Sequence, residues 1–206
     1  MNEKFFSLPQ EKQQAIINAG YRVFSQNCYK KSPMSEIADA AGISKALLFH
    51  YFHNKKELYL FLWEECSRTT LQALAESGCA EQTDLFQMML LGLNAKVKLM
   101  RKYPHLGAFS LKAFYEKDPT VCPEIQASAA KYAKLKTNPQ ALKMDHAQFR
   151  QGVDLGMMYR DMYLATEGYL WEKMQQDDFS VEDMESDFVR LIDFWKTIYL
   201  RNEGAV

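Results

Sequence analysis

Residues 42–59, GISKALLFHYFHNKKELY, put more apolar side chains around one short helix than a single buried face can use. With Leu48 and Phe52, one turn apart, facing inward, a step of about 100° per residue leaves Ala46, Phe49 and His50 pointing largely outward and Lys45, Leu47 and Tyr51 on the flanks. A helix with a greasy outer face needs something to touch. Ser44 stands where it can cap this helix. Gly42 stands where a left-handed residue would stop the preceding one, Ser35 to Ala41, which Ser35 is expected to cap. Two short helices therefore meet at a tight glycine turn.

Such a pair works as a helix-turn-helix when small apolar residues brace the second helix and leave its outer face free for a major groove. Ile37, Ala38 and Ala41 supply the inner face and Ile43 plugs the turn. In a groove Ala46 permits close backbone approach, Leu47 can press on a thymine methyl, Lys45 can reach a phosphate or a guanine edge, and His50 and Tyr51 can donate to phosphate oxygens. Lys55, opening the next helix, suits a phosphate. The candidate DNA-facing set is Ser44, Lys45, Ala46, Leu47, Phe49, His50, Tyr51 and Lys55. The same spacing also fits a core helix of a bundle, with Lys45, His50 and His53 merely solvated. His50 and His53 are three apart, a metal-ligand spacing, but no third ligand presents itself and no metal is expected.

Charge follows the first reading. The formal net charge of −1 conceals eight Lys/Arg against five Asp/Glu in residues 1–60, and seventeen against twenty-one in the remainder, so the basic excess sits beside the candidate helix, as an anionic partner requires. Cys28, Cys66, Cys79 and Cys122 are widely separated, which indicates neither a disulfide framework nor a zinc site and suits a reducing cytoplasm. No run of roughly 18 apolar residues exists and the N-terminus lacks a secretory pattern, so a soluble cytoplasmic protein with no membrane partner is expected. There is no phosphate-binding glycine loop, nucleophile motif or metal-spaced cluster. Neither catalysis nor a cofactor is expected, and Asp177-Asp178 and Glu182-Asp183-Glu185 read as solvated helix ends.

With nine glycines, six prolines and apolar residues recurring at three and four, the chain reads as all-α, with about nine helices. Ser7 is expected to cap the first, with Pro9 in its first turn and Ile16, Ile17, Val23 and Phe24 as its buried stripe. A long helix runs from Lys55 toward Ser77. Another opens at Asp84 and stops at Tyr103-Pro104. Shorter pieces follow at about 105–116 and about 123–149, the latter broken at Asn138-Pro139, and two long helices close the chain, Leu155–Gln176 and Val181–Arg201, the last capped by Ser180.

The run from Ser35 to Leu58, with Ile16–Ala19, Phe24 and Tyr29 before it, closely resembles the N-terminal domain of the TetR family of bacterial transcriptional regulators. The resemblance covers roughly the first third of the chain. It implies a three-helix DNA-binding domain over residues 1–54, joined by a long helix to an all-helical effector-binding and dimerising domain over residues 55–206. It places Lys45, Ala46 and Leu47 at base-contacting positions, Phe49 and Tyr51 at backbone-contacting ones, and Lys55 and Ser35 at phosphates, with Leu48 and Phe52 in the core. Three residues depart from the family pattern: Cys28 and Ala46 replace frequent glycines, and Phe49 replaces a usual tyrosine, removing a hydroxyl from the DNA-facing surface.

Beyond this the residues themselves carry the reading. In the last helix Met184, Phe188, Leu191, Trp195 and Ile198 follow a 4-3-4-3 spacing, and the helix before it offers Met158, Met162, Tyr169 and Trp171. The resemblance implies that these two helices pair with those of a second subunit, so that a homodimer presents two recognition helices to a pseudo-palindromic operator. Met162, Tyr169, Phe188, Leu191, Trp195 and Tyr199 are the expected interface, though such stripes can equally close the protomer's own core. An abundance of Met and aromatic residues suggests an adaptable cavity for a small hydrophobic or aromatic effector, with Trp63, Met88, Met100, Phe109, Phe114, Tyr132, Phe149, Met158 and Met162 as candidate lining. A filled core and a protein partner, or activation in place of repression, is the alternative.

Overall fold

The computed structural model describes residues 3–137, 144–173 and 180–201. It holds ten α-helices and no strand among those residues: α1 Glu3–Phe6, α2 Gln10–Gln26, α3 Met34–Ala40, α4 Lys45–Tyr51, α5 Lys55–Glu76, α6 Leu85–Lys102, α7 Leu106–Phe114, α8 Cys122–Thr137, α9 Leu155–Lys173 and α10 Val181–Tyr199. The break expected at Asn138-Pro139 and the end expected at Gln176 lie outside the described residues.

Helix starts follow local hydrogen bonding. Asn54 Oδ1 accepts the Glu57 N–H at 2.9 Å, Asp84 Oδ1 accepts those of Phe86 and Gln87 at 2.8 and 3.1 Å, and Ser180 Oγ accepts that of Asp183 at 3.2 Å. Each satisfies a donor that a helix N-terminus otherwise leaves without a partner. Two expected caps are corrected. The Ser7 hydroxyl donates to the Lys4 carbonyl at 2.8 Å, closing the short α1, and α2 starts only after Pro9. Pro9 lacks an N–H and sits at the N-cap with an extended ψ. Likewise α3 begins at Met34, after Pro33, so Ser35 stands inside the first turn as an exposed residue and not as its cap.

The chain packs as two compact units, residues 1–69 with 102–130, and residues 70–101 with 131–206. In the first, α2 buries Ile16, Ile17, Val23 and Phe24, the stripe expected of it. α7 packs against α2 in this same unit: the Phe109 ring lies 5.0 Å from Tyr21 and 6.3 Å from Phe24. Gly20 leaves room for Leu62 of α5, since a Cβ built there would stand 2.5 Å from Leu62 Cδ1. In the second unit α6, α9 and α10 close around Leu85, Phe86, Val97, Met100, Met158, Met162, Met184, Phe188, Ile192 and Trp195. The bridge between Phe149 and Leu200 ties the end of α10 to the segment before α9.

Candidate nucleic-acid interface

The turn between α3 and α4 is made by its backbone. Gly42 takes φ +68°, a left-handed value that a side chain disfavours. This lets the Gly42 N–H donate to Asp39 O at 3.1 Å and the Ile43 N–H to Ala38 O at 3.0 Å, so the last carbonyls of α3 are satisfied within the turn. Ser44 then caps α4, its Oγ accepting the Leu47 N–H at 3.1 Å. Ile37, Ala38, Leu48 and Phe52 are fully buried. α4 is therefore fixed from inside along one face and at its start by a cap.

The other face is open. Lys45, Ala46, Leu47, Phe49 and His50 are all exposed, Leu47 and Phe49 at 37 % and 36 % despite their size. The Lys45 ammonium stands 6.0 Å from the Phe49 ring centroid, at the edge of cation–π range, so the charge leans over the aromatic without being tied down. Ser35 and Ser44 are exposed as well.

Tyr51 departs from the flanking, DNA-facing position expected of it. Only 7 % of it is accessible, and its ring meets Phe5 at 6.2 Å. Phe5 belongs to α1, a helix too short and too dependent on tertiary packing for the sequence to announce. It also lies 5.1 Å from both Phe52 and Phe61, and so plugs the inner side of the recognition helix.

Lys55 is a second correction. Its Nζ donates to the carbonyls of Lys30 and Ser32 at 3.1 and 3.2 Å and sits 4.7 Å from the Tyr29 ring. Instead of reaching outward as a free phosphate hook, it closes the turn after α2, where its charge adds to that of the exposed Lys30 and Lys31. Glu116, from the segment after α7, accepts the Tyr29 N–H at 2.8 Å, and Lys56 pairs with Glu124 at 2.6 Å. The helix-turn-helix module is thus bonded directly to the α7–α8 segment. At the start of α5, the His53 N–H donates to Glu57 Oε2 at 3.0 Å and the His53 ring lies 2.9 Å from the same oxygen. Burial would raise the Glu57 pKa, but these bonds outweigh it and hold the carboxyl below the usual range.

The candidate effector residues are shared between the two units. Trp63, Phe109 and Phe114 fall in the first unit, and Met88, Met100, Phe149, Met158 and Met162 in the second. Phe109 is core, fully buried against Tyr21, Phe24 and Tyr59, while Phe114 is 39 % exposed. The Tyr132 side chain lies outside the described residues. Trp63 is buried, and its indole N–H finds no acceptor among the described residues.

Part of the expected dimer stripe faces the protomer's own core. Met162, Phe188 and Trp195 are buried in the protomer's own core, with Leu191 and Tyr199 packed against it. Tyr169 donates to Asp187 at 2.7 Å and Tyr199 to Asp161 at 3.2 Å, bonds that join α9 to α10 inside one chain. Burial and then the Asp187 carboxylate push the Tyr169 phenol pKa up, keeping it a donor. The apolar residues left outside are Met157, Leu164 and Trp171 on α9 and Val189, Phe194 and Ile198 on α10.

These features define a helix-turn-helix DNA-binding domain in an all-helical protein. Residues 16–61 match the family described as bacterial regulatory proteins, tetR family. A probable acrEF/envCD operon repressor of Escherichia coli strain K12 is 27 % identical over 135 residues, covering 63 % of this chain; the chain spans 58 % of that repressor's length. The transcriptional activator FasR of Mycolicibacterium smegmatis is 38 % identical over 60 residues, 29 % of this chain and 27 % of the activator. A TetR family transcriptional regulator from Chloroflexus aurantiacus shares the fold over 98 % of this chain and 99 % of its own, with a TM-score of 0.66 at 21 % identity. No helix among the described residues is long and apolar enough to cross a membrane.

Proposed function

We propose that this TetR-family regulator binds a pseudo-palindromic operator as a homodimer in the bacterial cytoplasm and is released from it by a small hydrophobic effector. The observation that carries the DNA half is the division of α4: Leu48, Tyr51 and Phe52 hold it, while Lys45, Ala46, Leu47, Phe49 and His50 stand exposed together. Ala46 sets the closest approach, Lys45 supplies the mobile charge, and His50 takes a phosphate in place of the missing hydroxyl at Phe49.

Dimerisation is supported by the outer apolar side of α9 and α10. Leu164, Trp171, Phe194 and Ile198 would be covered by the same residues of a second chain, in the isologous manner of a two-fold contact. The effector half is supported by the buried Trp63 N–H, a donor whose desolvation goes uncompensated until an acceptor reaches it. An effector that fits best a conformation wrong for the operator must weaken DNA binding by the same factor by which DNA weakens its own binding. The bonds from Glu116 to Tyr29 and from Glu124 to Lys56 give α7 and α8 a grip on the DNA-facing module.

The test is titration of DNA from around the protein's own gene at several salt concentrations. Affinity should fall as salt rises, and Lys45→Ala should weaken binding and lower the slope by about 1 for each lysine lost, with the fold unchanged. A protein that binds no sequence more tightly than bulk DNA ends this reading.

A further inference from the structure

The groove-facing side of α4 is short of hydrogen-bonding groups. Of its five exposed residues, Ala46, Leu47 and Phe49 have no polar side-chain atom, and only Lys45 and His50 do. Counted from the inward-pointing Leu48 at about 100° per residue, Leu47 and Phe49 stand on opposite flanks, with Ala46 and His50 between them. The Lys45 ammonium lies over Phe49, which draws it to that flank. On the Leu47 side, the Ser44 oxygen accepts the Leu47 N–H, which leaves only its hydroxyl proton to donate, and Tyr51 is turned into the core.

In a major groove the edges of guanine, adenine and cytosine offer only donors and acceptors, and an apolar side chain laid on them strips their water without replacing its bonds. Thymine alone presents a methyl group, against which an apolar side chain gains. Resting on the DNA-binding reading above, we propose that Leu47 and Phe49 select the operator through thymine methyl groups, one on each side of Ala46, and that hydrogen bonds to base edges contribute little beyond Lys45. The substrate is accordingly a duplex with thymines at the steps flanking the closest approach of α4 in each half-site.

The experiment starts from random DNA. A duplex enriched by the full-length protein from a random-sequence library is synthesised once with thymine and once with uracil, which lacks only the methyl, and both are titrated by fluorescence anisotropy. One methyl in contact contributes about fourfold in affinity, so losing the two in each half-site weakens a two-fold-symmetric duplex about 200-fold. Leu47→Ala should bind the thymine duplex less tightly and narrow the gap between the two forms, while Lys45→Ala weakens both and keeps their ratio. Equal wild-type affinity for the two duplexes overturns the proposal and leaves DNA binding standing. An unchanged thymine-to-uracil ratio in both Leu47→Ala and Phe49→Ala overturns the assignment to these residues. If no sequence is enriched at all, the DNA-binding reading itself falls.

Discussion

Replacing Phe5 by alanine asks whether the recognition helix is braced from the opening segment of the chain. Phe5 is 1 % exposed, with its ring 5.1 Å from those of Phe52 and Phe61 and 6.2 Å from Tyr51. Burying a phenylalanine contributes about 1.5–3 kcal/mol, and an edge-on aromatic pair about 0.5–1.5 kcal/mol beyond its area. Because α1 has only four residues and can peel away, the loss is capped by the docking energy of the segment and the upper end of the Phe→Ala range is not reached. A cost of about 3 kcal/mol follows, or a fall in Tm of roughly 6–12 °C in a chain of this size. Differential scanning calorimetry measures it, and operator titration should show weaker binding, since Tyr51 and Phe52 lose their backing. Phe6→Ala, at a residue 51 % exposed whose ring meets Phe5 and Phe61 edge-on, is the control and should cost clearly less, about 1 kcal/mol. A Phe5→Ala variant that melts and binds like the parent would refute the bracing argument.

Gly20→Ala sets about 1 kcal/mol of helix propensity against a Cβ built 2.5 Å from Leu62 Cδ1; Leu62 is fully buried and overpacking costs about 1–3 kcal/mol, so urea denaturation should show a net loss of about 1 kcal/mol, and a gain would contradict the packing. On the outer side of α10, Phe194→Glu should leave the helical circular dichroism intact while light scattering reports monomers. Trp195→Ala, one residue on but buried, should cost about 3–5 kcal/mol of stability, and a still dimeric Phe194→Glu would move the interface elsewhere. Burial, and after it Arg22, holds the His105 pKa below its ordinary value of 6.5, so the folded state favours the neutral ring. Above pH 6.5 both states are neutral there; as pH falls from 6.5 through the lowered folded value only the unfolded chain takes the proton, and stability drops. His105→Gln should flatten that part of the stability profile, and an unaltered slope assigns it to other groups.

What could be read from the sequence was what depends on neighbours three or four residues away. Ser44, Asp84 and Ser180 cap helices because the donors they satisfy lie within the same turn, and Gly42 stops α3, its own N–H bonded to Asp39 O and that of Ile43 to Ala38 O. The inward placing of Leu48 and Phe52 follows from period alone. Distant partners decided the rest. Tyr51 turns inward because Phe5, far off in sequence, offers it a ring; Lys55 turns back because the carbonyls of Lys30 and Ser32 lie within its reach. α10 is apolar on two sides, and periodicity does not say which faces the protomer's own core. Packing does, and it takes Phe188 and Trp195 while leaving Phe194 and Ile198 outside. Ser7 and Ser35 fail as caps for a covalent reason, since the prolines at 9 and 33 set where the following helices begin.

The two lysines flanking the recognition helix differ in their chemistry as amines. The Lys55 nitrogen spends its protons on two carbonyls and an aromatic face, and it would have to abandon all three to act as a nucleophile. Lys45 is exposed, with only a loose ring contact to give up. An acylating reagent should therefore reach Lys45 first and erase the charge on the reading surface, while the lysine that closes the turn behind it stays basic and the fold stays shut.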